Sequence, residues 1–331
     1  MKNVIQLTVI VLAAMAAGYG QQAEHPGMTL YSQGKYGDAI DSLTLAVKSK
    51  EDRNDAEIWN VLGLAYLKTQ KYKDSRKAFD KAVKLAPASA VFRANLAYAY
   101  LLVGDTRKAK SEAGKAIERD PRNLDAHLFR GIAYLRENDL DKSQADVDNM
   151  LQIDPAFVDA YAVGADIQIQ RLGSALSVTG GIEGMKANAD FLAKAVELLT
   201  TGVDRCGECP KKTSLSDRLE NTKALYDYAV KERPVVPGPP DPNVTPLKII
   251  SKPRASYTDA ARSAGVQGTV RVAVLLGANG RVLYVLPLTT LSHGLDQQAV
   301  SAARQIRFEP KLVNGKPVSS VVLIEYGFSI Y

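Results

Sequence analysis

Apolar positions recur at two different periods along this chain, near 3.6 over most of its length and 2 over the last quarter. A longer period of 34 residues lies over the first region. Tyr66, Tyr100 and Tyr134 keep that step, as do Pro87, Pro121 and Pro155, and Gly63, Ala97, Gly131 and Ala165. The unit reads as two amphipathic helices. Ala56 to Thr69 carries Trp59, Leu62, Leu64, Ala65 and Tyr66, Gln70-Lys71-Tyr72 turns the chain, and Tyr72 to Lys84 sets Ala78, Phe79, Ala82 and Val83 on one face. Gly63 and Ala97 are small enough for close helix approach, and each proline stands just past a second helix, where helix must stop. A unit of this kind buries its apolar face only by stacking on copies of itself. Residues 27–171 are therefore expected to form a helical array, with about three full repeats over 56–155 and degenerate ends. The leading segment Met28 to Ser49 keeps Tyr36, Ala39 and Ala46 but lacks a full first helix.

The register is lost from Leu172, where Gly173-Ser174 and Thr179-Gly180-Gly181 break the pattern. Helices are predicted over Gly184 to Asp204 and Leu215 to Arg233, the second with Ser214 and Asp217 at capping spacing, so 172–233 reads as a helical extension. Residues 234–246 contain six prolines in 13 positions. Such a stretch predicts a semi-rigid spacer, on the order of 40 Å long at about 3.1 Å per residue, and a domain boundary.

Beyond it, from 247 to 331, the period is 2. Thr269 to Leu276 alternates Val270, Val272, Val274 and Leu276 with Arg271, Ala273 and Leu275; Gly277-Ala278-Asn279-Gly280 turns; Arg281 to Leu286 returns. This predicts a β-hairpin with one buried face. Leu295 to Ile306 follows as a helix with Ser292 as a cap, and the run Val318 to Tyr331 as a last strand. The order is ββαβ after a short helix at Tyr257 to Ser263. The fold class is thus multidomain: an all-α superhelix followed by a small α+β domain.

Lys2, the apolar run Val4 to Ala17 and the small residues before Gln21 have the layout of a secretory signal over residues 1–20, with an uncleaved N-terminal anchor as the alternative. No Cys follows that run, which rules out a lipid-modified cysteine. Export would place Cys206 and Cys209 in an oxidising compartment. Their C-x-x-C spacing leaves a structural disulfide, a redox pair and half a metal site open, with the disulfide favoured: the three histidines His25, His127 and His293 lie far along the chain, and Gly207, Glu208 and Pro210 look like a loop after a helix.

Composition is ordinary for a globular chain of 331 residues, with 46% hydrophobic and 24% charged, which excludes disorder, collagen and a disulfide-dense miniprotein. Net charge is +6, and the segment from Leu247 onward, with 10 basic and 4 acidic residues, carries all of it. The surplus therefore reads as attraction of one small module for acidic partners rather than as a nucleic-acid footprint. No nucleophile motif, phosphate-cradling glycine loop or metal-ligand cluster stands out, so no catalytic, cofactor or metal residue, and no small-molecule substrate, is expected.

Trp59, Leu62, Gly63, Tyr66, Phe79, Ala82 and Pro87 resemble the tetratricopeptide repeat, over about 27–171. The resemblance departs at Arg93, which stands where the first unit has Trp59, and at Ser143, Val147 and Met150 in the third unit. It implies a binding scaffold for an extended peptide or a partner protein. Some members grip a C-terminal carboxylate; here Asn60, Lys68 and Asn95 are the nearest polar candidates, but Leu64, Val91, Tyr98, Leu101 and Phe129 dominate the first-helix faces, so that clamp is not expected. Tyr257, Ala261, Arg262, Gly265-Val266-Gln267-Gly268, Asn279-Gly280, Gly294-Leu295-Asp296, Arg307-Phe308-Glu309-Pro310 and Asn314-Gly315-Lys316-Pro317-Val318 resemble the C-terminal domain of the TonB family over about 247–331, with Thr258 replacing a usual Pro and Ile306 a usual Trp.

That second resemblance implies docking on a periplasm-facing segment of a TonB-dependent outer-membrane transporter by strand addition. Val321, Val322, Leu323, Ile324 and Tyr326 in the last strand are the candidate contacts. Homodimerisation through that strand, or an edge with no partner, are the alternatives. Two functions follow: a periplasmic adaptor whose repeats hold one protein while the basic module docks on another, or an inner-membrane-anchored energy transducer coupling a motor to outer-membrane transport.

Overall fold

A computed structural model describes residues 25–179, 181–231 and 243–330; the expected signal at 1–20 and residues 234–242 of the proline-rich stretch lie outside the described residues. Two compact units divide the chain, one up to Ala133 and one from Tyr134 onward.

The first unit begins with a seven-residue helix, α1 (Pro26–Ser32), in place of a full first helix, and α2 (Tyr36–Ala46). Two hairpins follow, α3 (Ala56–Lys68) with α4 (Tyr72–Leu85) and α5 (Ala90–Leu102) with α6 (Thr106–Arg119), before α7 (Leu124–Arg136). Helix starts are set by side chains that accept otherwise orphaned N–H groups. Asp55 takes those of Glu57 and Ile58 at 2.8 and 3.2 Å, Ser89 that of Phe92, Asp105 that of Lys108 and Asn123 that of Ala126. Gly63 is required by packing: a Cβ there would lie 2.6 Å from the fully buried Phe79 ring.

The departures at the Trp59 position have a common chemistry. Trp59, Arg93, His127 and Tyr161 stand 34 residues apart, and each meets the carbonyl six residues earlier. Trp59 Nε1 donates to Arg53 O at 2.9 Å, Arg93 Nε to Pro87 O at 2.9 Å and Tyr161 Oη to Pro155 O at 2.8 Å; His127 Nε2 lies 3.1 Å from Pro121 O. A carbonyl only accepts, so His127 carries its proton on Nε2. The position selects a long side chain with a donor, not an indole.

The second unit takes in α8 (Leu140–Ile153), α9 (Val158–Thr179), α10 (Gly181–Ala187), α11 (Ala189–Cys206) and α12 (Lys212–Lys231). Gly173-Ser174 is no break, because α9 runs unbroken through it. The helix expected over 184–204 is instead α10 and α11, divided at Asn188, and Ser214 lies inside α12 rather than capping it. Cys206 ends α11 and is joined to Cys209 as a disulfide across the turn into α12, with Cα atoms 5.2 Å apart. Arg218 of α12 bonds Asp166 of α9 at 2.5 Å, and Lys211, just before α12, pairs with Asp159.

The same unit holds β1 (Val244–Thr245), β2 (Lys248–Ser251), α13 (Asp259–Ala264), β3 (Gly268–Leu276), β4 (Val282–Pro287), α14 (Leu295–Ala303), β5 (Arg307–Glu309), β6 (Lys311–Val313), β7 (Lys316–Val318) and β8 (Ser320–Phe328). The main sheet is antiparallel in the order β4-β3-β8; β2 pairs β5, and β1, β6 and β7 form a small third sheet. The ββαβ order is present, with short strands around it that lack a legible period. Helix α14 stops at Ala303, three residues short of the expected Ile306, and starts from Gly294 in the left-handed region rather than from Ser292. Thr258 caps α13, accepting from Ala261 N at 3.1 Å, and its hydroxyl donates to His293 O at 2.7 Å. Ile306 is buried in the core under α14.

The main sheet is covered on both faces, not one. Even positions of β3, Val270, Val272, Val274 and Leu276, share a core with Leu295, Ala299 and Ala303 of α14. Odd positions Ala273 and Leu275, with Leu286 and Leu288, share a second core with Leu172, Leu176, Met185, Leu192, Leu199, Leu215 and Leu225 of the helices. The helical extension and the sheet are therefore packed together rather than held apart by the proline-rich stretch. Gly173 makes this possible, since a Cβ on it would meet Leu288 O at 3.0 Å. Arg271 Nη1 donates to Gly173 O at 3.1 Å, and Tyr284 Oη to Glu220 Oε1 at 3.4 Å.

Two stability outcomes are expected. Tyr161→Phe removes only the donor to Pro155 O, so it should cost about 1 kcal/mol in chemical denaturation, and an unchanged midpoint would contradict a role for that bond. Gly173→Leu should cost about 1–3 kcal/mol and split the unfolding of helices and sheet into two transitions by calorimetry; a single unshifted transition would contradict the shared core.

Candidate functional site: a helix row and an open strand edge

Two surfaces gather the sequence-predicted residues, one in each unit. In the first unit, Asn95 Nδ2 on α5 donates to Asn60 Oδ1 on α3 at 2.8 Å, and Asn60 Nδ2 lies 3.4 Å from Glu57 Oε1. Burial pushes the Glu57 carboxyl up, against the pull of Asn60. Tyr98 stacks on Phe129 of α7, with ring centroids 4.8 Å apart and planes 20° off parallel. Leu64 is buried, whereas Val91 is 56% exposed. Lys68 stands in the last turn of α3, half-buried, and makes no ion pair with this row. The structure thus joins Asn60 to Asn95 and Tyr98 to Phe129 across successive first helices, and leaves Lys68 apart.

The second surface is the free side of β8. Leu288 N donates to Arg271 O, and Arg271 N donates to Thr289 Oγ1, so the peptide groups of Arg271 point toward β4. Arg271 lies opposite Glu325, making that pair non-hydrogen-bonded, and the alternation of an antiparallel ladder then fixes the rest. Even positions of β8 bond to β3. Odd positions Val321, Leu323, Glu325 and Gly327 turn their N–H and C=O outward. Among the described residues β8 pairs with β3 alone.

Side chains of β8 divide by the same parity. Val322, Ile324 and Tyr326 face the α14 core, with Tyr326 buried; Val321 and Leu323 pack on the helical core. Of the five residues expected to make contacts here, Val321 and Leu323 present main chain to the edge, while the other three turn it into the ladder. Sequence reasoning missed Tyr228 and Lys252, which bond the main-chain oxygens of Ser319 and Glu325 along this side. Their only sequence signal is a tyrosine near the end of α12 and a lysine beside Pro253.

Two large titration shifts lie elsewhere, at the start of α14. Burial lowers His293 to about 4, with Arg136 adding to the effect. Burial raises Asp296 to about 6; Asp166 adds to that rise, while the N–H groups of Asp296 and Gln297, and Arg136, oppose it. Burial also pushes Asp166 up, against Arg218. Among the described residues no group of His, Cys, Asp and Glu is placed to hold a metal ion, and no helix is long and apolar enough to cross a membrane.

Residues 253–330 match the family model described as the Gram-negative bacterial TonB protein C-terminal, and residues 27–90 and 95–156 match that of the tetratricopeptide repeat. The chain joins tetratricopeptide repeats to a TonB C-terminal domain. No curated protein matches it. Solved structures similar to it include MamA, at 20% identity and TM-score 0.44 over 55% of this chain and 95% of MamA. YrrB, described as a TPR protein with an unusual peptide-binding site, is 16% identical, with TM-score 0.42 over 62% and 89% of the two chains. A thermophilic TPR protein of Thermus thermophilus is 20% identical, with TM-score 0.43 over 62% and 95%. Tetratricopeptide repeats mediate protein–protein interaction, a TonB C-terminal domain links a chain to envelope transport, and neither family is catalytic.

The shifted pair in the TonB domain makes opposite contributions to stability. Folded Asp296 holds a proton that an unfolded Asp, with a pKa near 4, gives up, so its contribution falls as pH rises from about 4 to 6. Folded His293 resists a proton that unfolded His accepts near pH 6.5, so its contribution is lost as pH falls from about 6.5 to 4. Asp296→Asn should leave a stability that rises over this window, and His293→Asn, which tolerates the local φ of 64°, one that falls. Denaturation midpoints at stepped pH would read both slopes, and parallel profiles for the two variants would contradict the assignment.

Proposed function

We propose that this chain is a non-enzymatic adaptor of the periplasm, exported by a cleaved signal. The repeats hold a partner protein or extended peptide at the half-buried Asn95 and Tyr98, with the buried Asn60 and Leu64 supporting them from beneath and Lys68 standing apart. The TonB domain takes an extended segment of an outer-membrane transporter onto the edge formed by Val321 to Tyr326. The observation that carries the second half is the outward row of β8. A strand whose N–H and C=O groups are turned to one open side is a template for an incoming strand, and main-chain bonds give such docking its affinity. The basic surplus confined to this domain favours an acidic segment. The first half rests on amides and a ring stack aligned across successive helices, which suit the main chain and apolar side chains of a peptide better than a lone carboxylate.

Parity supplies the test. Val321→Pro removes an N–H that points outward, so β8 should keep its ladder while binding of transporter-derived peptides falls at least about tenfold. Val322→Pro removes an N–H bonded to β3 and should instead destabilise the sheet by about 1–3 kcal/mol. Titration calorimetry and thermal melts on the full chain would separate the two. Equal peptide affinity in wild type and Val321→Pro would refute docking at this edge.

A further inference from the structure

The balanced charge of the repeats conceals a separation. Residues 72–119 carry 11 basic and 5 acidic residues, whereas 120–171 carry 5 basic and 10 acidic. The basic excess lies on the second helices α4 and α6. Lys73, Lys77, Lys81 and Lys84 recur at helical spacing along α4, opposite its buried Ser75, Ala78, Phe79 and Ala82, and all four are exposed. They form a line about 17 Å long at about 1.5 Å per residue. The repeat step puts the exposed Arg107 and Lys115 of α6 at the positions of Lys73 and Lys81. These two helices alone keep the pattern: the same positions in α8 are Asp141 and Asn149, and α2 carries Asp38 and Asp41 with no basic residue.

This face presents cations rather than neutral pairs. Lys73, Lys81 and Arg107 make no ion pair among the described residues. Where a lysine is paired, it stands further out than its acid: the side chains are 69% against 34% exposed for Lys84 and Asp80, and 47% against 14% for Lys115 and Glu112. Arg76 of α4 and Lys108 of α6 both lie over the Tyr100 ring, 5.9 and 5.4 Å from its centroid, so like charges gather where the two helices flank one ring. Hydrogen bonds to Asp80 and Asp105 push Lys84 and Lys108 up, and Arg76 opposes both.

The kind of partner follows from what the face lacks. None of the large apolar side chains exposed among the described residues belongs to α4 or α6. Packed protein interfaces are built on aromatic and arginine anchors and are poor in lysine. A line of long, flexible ammonium groups without an anchor suits instead a surface that offers many anions at loose spacing. We propose that α4 and α6 hold the array against an anionic phospholipid surface, with Lys73, Lys77, Lys81, Lys84, Arg107 and Lys115 among the headgroups. The hold is electrostatic and reversible, and it gives a chain whose described residues include no membrane-crossing helix a place at a membrane. It goes beyond docking at the β8 edge and does not depend on it.

The test uses the chain from Gln21, so that the apolar run cannot insert, and sedimented vesicles of phosphatidylcholine alone or with about 30% phosphatidylglycerol. At low salt the chain should bind the anionic vesicles and not the neutral ones, and its partition should fall at least about tenfold at about 0.5 M salt. Each basic residue near such a surface adds about fivefold, so Lys73→Gln together with Lys81→Gln, which break no ion pair, should weaken partition about ten- to thirtyfold. Lys311→Gln together with Lys316→Gln, in β6 and β7 of the basic TonB domain, should change it less than about twofold, the size expected of residues away from the surface. Melting curves confirm that the variants fold. Equal partition of wild type and the α4 variant, or a loss that follows the TonB variant instead, overturns the proposal and leaves docking at β8 standing. Absence of binding to the anionic vesicles also overturns it, and binding of poly-glutamate that is lost in the α4 variant would then give the face to an acidic protein.

Discussion

The arrangement of the second unit depends on the burial of the odd face of one three-stranded sheet. Ala273, Leu275, Leu286 and Leu288 cannot face water without exposing a contiguous apolar patch, and the ends of α9 to α12 carry a patch of the same kind. A stacked helical array has this problem wherever it ends, and a terminal unit with a polar outer face is the usual remedy. Here the sheet performs that service. Gly173 and the bond from Arg271 to its carbonyl mark how closely the two surfaces meet.

Burial of the odd face also determines what β8 can offer. Because Val321 and Leu323 place their side chains in the helical core, the sheet cannot slip by one residue without exchanging its two cores. The register with β3 is thereby held, and with it the direction of every peptide group. The residues most tied to the helices by their side chains are the same ones that turn N–H and C=O to the open edge. Tyr228 reinforces this link by bonding Ser319 from α12. An edge displayed on such a support is more ordered than an isolated terminal strand, and pre-ordering lowers the entropic cost of adding a partner strand.

How much of this was legible in the sequence varied with the range of the interaction. The repeats were legible because each helix pair meets nearly identical neighbours, so Tyr66, Pro87 and Gly63 return at a fixed step. The equivalence of Trp59, Arg93, His127 and Tyr161 was not, because what they share is a donor reaching one carbonyl and not size or polarity. In the TonB domain the hairpin and α14 followed from alternation and helical spacing, whereas β1, β5, β6 and β7 are too short to show a period. Coverage of the second sheet face had a signal that alternation concealed. Thr269 to Leu276 is apolar at odd positions 273 and 275 as well as at even ones, the mark of a strand buried on both sides, and only Arg271 made the odd row look solvated. Gly173 read as a helix break for a similar reason, since its use appears only once the backbone of Leu288 lies against it. The candidate edge residues could be named from the last apolar run, but which of them face outward depended on the β4 side of β3. The lysine and tyrosine that reach the edge lie far from it in sequence.

The shared core bears on the choice between an adaptor and a force transducer. A transducer needs its docking module at the end of a reach across the space between two membranes, and a proline-rich segment on the order of 40 Å would add to that reach only if the module stood free. To stand free, the sheet would have to expose Leu275, Leu286 and Leu288. At about 1.5–3 kcal/mol for each buried leucine, the separation costs on the order of 5–9 kcal/mol before any helix residue is counted. That is comparable with the whole stability of a small domain. A pull on a docked segment would therefore act first on the helix–sheet junction. Such a junction keeps the docking edge seated on the helices beside it, as an adaptor allows and a free-standing transducer module does not.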